Sequence, residues 1–91
     1  MMPRGTGETT RQMKDAPQGA VFVWCTDDLA YPNRLARALK REDIQIVGVS
    51  WVREERWRGA RFPDFVILDH ATRLTEKEFD LLRTYIHAYR Y

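Results

Sequence analysis

Asp69 and His70 are the residues of this chain best placed to do chemistry. They follow directly on Phe65-Val66-Ile67-Leu68, an apolar run of the kind that suits a strand covered on both faces. Open α/β sheets keep their ligand crevice outside the carboxyl ends of the strands, which is where this acid and this imidazole would stand. Such a pair can hold and pass a proton. A nucleophile to go with it is not visible, because Cys25 and Ser50 have no motif around them. The plainer reading, which the sequence favours, is that Asp69 caps a turn and His70 is a polar surface residue.

Metal chemistry has less behind it. His70 and His87 lie far apart, and one cysteine cannot make a zinc site of the common kinds. Asp27 and Asp28 follow another apolar run and could meet Asp69 on one sheet edge, forming an acidic crevice for Mg²⁺. The competing expectation, that Asp27 and Asp28 cap the following helix, is the stronger. No metal ligands are assigned.

The elements that would position these residues can be traced along the chain. Ala20-Val21-Phe22-Val23-Trp24-Cys25 is a β-branched and aromatic run and predicts a strand, as do Ile44 to Val49 and Phe65 to Leu68. Thr9 to Asp15 predicts a short helix capped by Thr9 or Thr10 and ended before Pro17. A helix from Pro32 to about Arg41 carries Leu35, Ala36 and Leu39 on one face. Ser50 to Gly59 predicts a short helical turn with one tryptophan packed. Thr75 and Glu78 form a capping box, with Leu74 able to staple onto Phe79, and a last helix places Phe79, Leu82, Ile86 and Tyr89 on one face. Strand, helix, strand, turn, strand and helix in this order predict an α/β domain with a small three-stranded, mainly parallel sheet and three to four flanking helices. Residues 1–8 are expected to be a flexible N-terminal segment and 9–91 a single α/β domain.

Composition sets the outer bounds. With 91 residues, 44% hydrophobic and 31% charged, the chain has room for one modest core and is neither disordered nor membrane-embedded. It carries no apolar run long enough to span a bilayer and no signal-peptide stretch, so no membrane partner and a cytoplasmic location are expected. Cys25 reads as a small buried hydrophobe. The net charge of +2 is small, but its cations are almost all arginine, whose planar fork suits phosphate or carboxylate.

Gly5-Thr6-Gly7-Glu8-Thr9-Thr10, followed by an apolar strand ending in Asp69, resembles the P-loop NTPase family. In that family G-x-x-x-x-G-K-[ST] wraps phosphates, supplies a lysine to them and a hydroxyl to Mg²⁺, and a later strand ends in an acid near the metal. Gly7 matches the second glycine, Thr9 the hydroxyl and Asp69 the acid. The resemblance implies that His70 stands where many members carry a catalytic glutamate. Gly7, Thr9, Asp69 and His70 are therefore the candidate nucleotide-binding residues, with Mg²⁺ and nucleotide as cofactors on that reading alone. The departures are large: Met2 replaces the first glycine and Glu8 the lysine. A repulsive unit charge replaces an attractive one worth about 4 kcal/mol at 4 Å and an effective dielectric near 20. The resemblance is thus to a degenerate P-loop-like core that has lost its first strand and its lysine. The order of the chain also looks like that of small bacteriophage accessory proteins.

Trp51, Arg53, Arg56, Trp57, Arg58 and Arg61 interleave aromatic rings with guanidinium groups, as interface hot spots and base-stacking surfaces both do. Glu54 and Glu55 would repel a nucleic-acid backbone, which favours a protein partner over a nucleic acid and leaves a homodimer open. If both tryptophans instead pack on the sheet, the charges form a solvated face. Tyr85, Tyr89 and Tyr91 with His87 and Arg90 offer a second docking surface or a frayed helix end. The expectation is a non-catalytic, cofactor-free protein that binds a macromolecule, in concrete form a phage-type accessory or inhibitory protein contacting a host or defence protein. The alternatives are a residual nucleotide-binding or NTPase domain and a nucleic-acid-binding module using the Trp/Arg segment.

Overall fold

The computed structural model of the chain describes residues 7–58 and 63–90. Its elements are α1 (Glu8–Asp15), β1 (Val21–Val23), α2 (Ala30–Ala38), β2 (Gln45–Val47), α3 (Val49–Arg53), a 3₁₀ turn (Arg56–Arg58), β3 (Phe65–Leu68), α4 (Glu76–Tyr85) and β4 (His87–Arg90). The strands form one four-stranded sheet in the order β2-β1-β3-β4. Every pairing is parallel, with Phe22 opposite Ile46 on one side and Ile67 on the other.

Alternation along the strands separates two apolar layers. Val21, Val23, Val47, Val66 and Leu68 point to one face, where Val52, Trp57, Phe79 and Leu82 from α3, the 3₁₀ turn and α4 cover them. Phe22, Ile46, Phe65 and Ile67 point to the other, under Met13 of α1 and Ala36 of α2. β1 and β3 are thus covered on both sides, which is why their sequences run apolar without a polar break.

The sheet has four strands where three were expected, because the last helix stops early. The periodicity of Phe79, Leu82, Ile86 and Tyr89 suggested one helix throughout, yet α4 ends at Tyr85 and Ile86 is extended at φ −136°, ψ 150°. From there the pattern has a period of two: His87 and Tyr89 are exposed while Ala88 is buried. Pairing of residues 87–90 with β3 supplies the backbone partners that a continued helix would have supplied itself. Ile86 still reaches the core, which is why the helical spacing held up to it.

Several boundaries also move inward. β1 omits Ala20, Trp24 and Cys25, and β2 stops at Val47 because Val49 opens α3. α1 begins at Glu8, not at Thr9 or Thr10, and its cap is Gly7 in the left-handed region at φ 86°. The Thr75–Glu78 capping box is present in both directions. Residues 1–6 of the expected N-terminal segment lie outside the described residues, and Glu8 belongs to α1.

α1 is held at its C-terminal end by a side chain from far along the chain. Nη1 of Arg41 donates to the carbonyls of Met13 (2.7 Å) and Lys14 (3.1 Å), and Nη2 donates to that of Ala16 (3.0 Å). A cation at the negative end of a helix satisfies carbonyls that have no partner of their own within the helix. The same guanidinium pairs with Asp43, whose Oδ2 also accepts the Gly19 amide at 2.9 Å. Among the described residues no helix is long and apolar enough to cross a membrane.

Candidate functional site

From β1 the chain passes to β2 on one side of the sheet and returns to β3 on the other. Such a reversal leaves a crevice between the carboxyl ends of the two central strands. Trp24 and Cys25 leave β1 there, and Asp69 and His70 leave β3. The Asp69 amide donates to the Val23 carbonyl at 3.0 Å, and the Thr72 hydroxyl donates to the same carbonyl at 2.9 Å, so the two strand ends are tied together.

The first turns of α1 close one side of this crevice. Thr9 donates its hydroxyl to Oδ1 of Asp69 at 2.7 Å. One turn later Gln12 donates Nε2 to the Leu68 carbonyl and accepts the His70 amide on Oε1, each at 2.9 Å. Oδ2 of Asp69 accepts the Ala71 amide at 3.0 Å. Asp69 is 2% exposed, a buried acid held by a hydroxyl and a backbone amide. Nδ1 of His70 lies 3.5 Å from Oδ1 of Asp69, with about a third of the His70 side chain exposed (34%).

Above this floor is a cleft of about 550 Å³, which Gly7, Glu8, Trp24, Cys25, Tyr31 and His70 help to line. Its aromatic wall is Trp24 against Tyr31, with ring centroids 5.7 Å apart and planes 42° apart. Burial pushes the Cys25 thiol up, and the negative charge of Asp69 pushes it further in the same direction. A thiol so placed stays protonated near neutrality and is a poor nucleophile.

Of the residues singled out in the sequence, Gly7, Thr9, Asp69 and His70 come together here. Asp27 and Asp28 do not join them. Asp27 accepts the Ser50 amide and hydroxyl at the start of α3 (3.2 and 2.9 Å), and Asp28 accepts the Ala30 amide at the start of α2 (3.2 Å). Both serve as helix caps, and among the described residues no three acidic, histidine or cysteine side chains are grouped to hold a metal ion. His87 lies on the sheet face against Phe65, with ring centroids 5.7 Å apart.

The Trp/Arg segment differs from the surface that its spacing suggested. Trp57 is 2% exposed and donates Nε1 to the Val52 carbonyl at 3.3 Å, so it is a core residue and cannot present its ring to a partner. Trp51 is only half-buried. Arg53 pairs with Glu78 (3.3 Å), Arg56 with Glu54 (2.7 Å) and Arg58 with Glu55 (2.6 Å). The Arg58 guanidinium also lies over the rings of Trp57 and Tyr85, 4.8 and 4.7 Å from their centroids. Arg61 lies outside the described residues. The acids expected to repel a phosphate backbone are the ones that hold these arginines.

Three site residues were not singled out from the sequence. Gln12 carries a readable signal, since it lies three positions after Thr9 and therefore on the same helix face. Trp24 and Tyr31 are separated by the β1–α2 loop, and only the folded loop brings their rings together. Compared with known protein families, with curated proteins and with solved structures, the chain matches none.

Proposed function

We propose that this protein is a non-catalytic α/β binding module, built on a degenerate P-loop-like core, that works by contacting another macromolecule. The observation that carries the reading is the 2.7 Å hydrogen bond from Thr9 to Asp69. The hydroxyl and the carboxylate that a P-loop relative would spend on Mg²⁺ are spent on each other and fasten α1 to the end of β3. Glu8, at the position of the absent lysine, lines the same cleft and opposes a polyphosphate by charge. A phage-type accessory or inhibitory protein acting on a host or defence protein is the concrete form of this reading. In the test, purified protein is incubated with ATP or GTP and Mg²⁺. The expected result is no hydrolysis above background and no rise in melting temperature at millimolar nucleotide, whereas a bound nucleotide would raise it by mass action. Hydrolysis that disappears in Asp69→Ala would overturn the reading.

The second reading is a residual nucleotide-binding domain, favoured by the position of the cleft at the reversal point between β1 and β3. The same titration separates the two. A nucleotide-dependent rise in melting temperature that Thr9→Val removes would select the second.

A further inference from the structure

We propose that the cleft above Asp69 is a binding site for a planar cation, a guanidinium or a similar amino-bearing group, and that it selects against phosphate. The inference deepens the binding-module reading and rests on it. It begins from the balance of charge in the cleft. Glu8 and Asp69 both line it, and no lysine or arginine does so among the described residues. The start of α1 contributes roughly half a positive charge, which two carboxylates outweigh. His70 is the one lining residue able to carry a positive charge, and its Nδ1 faces Asp69 at 3.5 Å. The rise in the Cys25 thiol caused by Asp69 reports the same negative field inside the cleft.

Shape supplies the second observation. Trp24 and Tyr31 are tilted against each other across 5.7 Å, and Tyr31 is 53% exposed, so a ring face is open to the cleft. A cation within about 6 Å of a tryptophan or tyrosine ring is attracted by the negative face of the ring, and guanidinium, being flat and weakly hydrated, stacks there best. Glu8, with its side chain 23% exposed, would meet the charge directly. Asp69, beneath the surface, acts through the field and not by contact. Its partner Arg11 already holds Glu8 at 3.4 Å, which shows that the carboxylate accepts a guanidinium.

The cation could be a free small molecule or an arginine side chain of a partner protein. An NMR titration that follows the ring signals of Trp24 and Tyr31 distinguishes them, with agmatine and N-acetyl-arginine amide as probes and inorganic phosphate and ATP as counter-probes. Expected is saturable binding of a guanidinium probe, weakened about fivefold by Glu8→Gln and about fivefold by Tyr31→Ala, both in exposed or half-exposed positions where the fold is retained. Tighter binding of agmatine indicates a free ligand, and tighter binding of the amide indicates a partner side chain. No guanidinium binding, or binding indifferent to both variants, overturns the proposal while leaving the binding-module reading in place. ATP or phosphate bound in the cleft more tightly than either guanidinium probe overturns it, and ATP hydrolysis in addition overturns that reading too.

Discussion

Thr9, in the first turn of α1, donates its hydroxyl to the buried carboxylate of Asp69 at 2.7 Å, although 60 positions separate them in the chain. With Gln12 bridging the Leu68 carbonyl and the His70 amide, this contact makes the start of α1 and the end of β3 one polar unit. The arrangement has a mechanical meaning. α1 precedes the first strand and has no strand of its own to follow, so its position depends on these bonds and on Met13, which is fully buried in the layer beneath it.

Replacing Thr9 tests that dependence. Thr9→Val keeps the shape and removes the donor, leaving a buried carboxylate oxygen without its hydroxyl. A stability loss of about 2 kcal/mol is expected, because a hydrogen bond to a charged group contributes about 1.5–3 kcal/mol. Thr9→Ser retains the donor and should cost less than half as much. Urea denaturation of the three proteins, compared at equal slope, measures both.

Some of this was legible in the sequence, and the physical reasons divide cleanly. Phe65 to Leu68 could be read as a buried strand because both of its faces are covered, and the Thr75–Glu78 capping box is local, so its signal lies within one turn. The end of α4 was not legible. Ile86 satisfies helical spacing and strand burial equally well, and the choice depends on β3 being available to pair with residues 87–90. The same holds for the Trp/Arg segment, where Trp51 and Trp57 look alike in sequence and only the docking of the 3₁₀ turn under α4 buries one of them. Arg41 looked like an exposed cation near the end of α2, and its true partners are carbonyls at the end of α1.

Arg41 therefore predicts a local effect as well as a global one. Arg41→Lys keeps the charge but cannot fork across the Met13 and Ala16 carbonyls, which Nη1 and Nη2 reach separately. Stability should fall by about 1–2 kcal/mol. Amide exchange should rise first in residues 8–15, ahead of the strands, because the helix loses its fastening while the sheet keeps its core. Uniform loss of protection across the molecule would show that the clamp serves the whole fold and not α1.

Asp43 ties this clamp to pH. The Arg41 guanidinium first, and then the Gly19 amide, hold its carboxyl well below the ordinary value of 3.8. The folded protein accordingly binds fewer protons at Asp43 than the unfolded chain does at mildly acid pH. The contribution is fully present above the unfolded value and drains away as pH falls below it toward the folded one. Asp43→Asn should flatten the decline in melting temperature below about pH 4 and lower the melting temperature near neutrality. A variant with the same acid-side slope as the parent would show that other carboxylates carry it.

Two backbone positions make opposite predictions about glycine. Lys40 stands in the left-handed region at φ 59°, just past the end of α2, where the Arg41 amide closes back on the Ala36 carbonyl at 2.8 Å. This is the helix ending that glycine fits without a Cβ penalty, so Lys40→Gly should stabilise the fold by about 0.5–1 kcal/mol. Gly48 has no such strain, with φ at −90°, but a Cβ there would lie 2.7 Å from the Asp27 Cα and 2.9 Å from the Thr26 carbonyl oxygen. Those are backbone atoms and cannot turn aside. Gly48→Ala should cost about 1–3 kcal/mol, the range for forcing extra atoms into a packed position. The shift would push the β1–α2 loop away from the start of α3, breaking the Asp27 cap on Ser50. Thermal melts of the two variants should therefore move in opposite directions from the parent, and a loss in Lys40→Gly would show that the lysine side chain, and not its backbone angle, decides that helix ending.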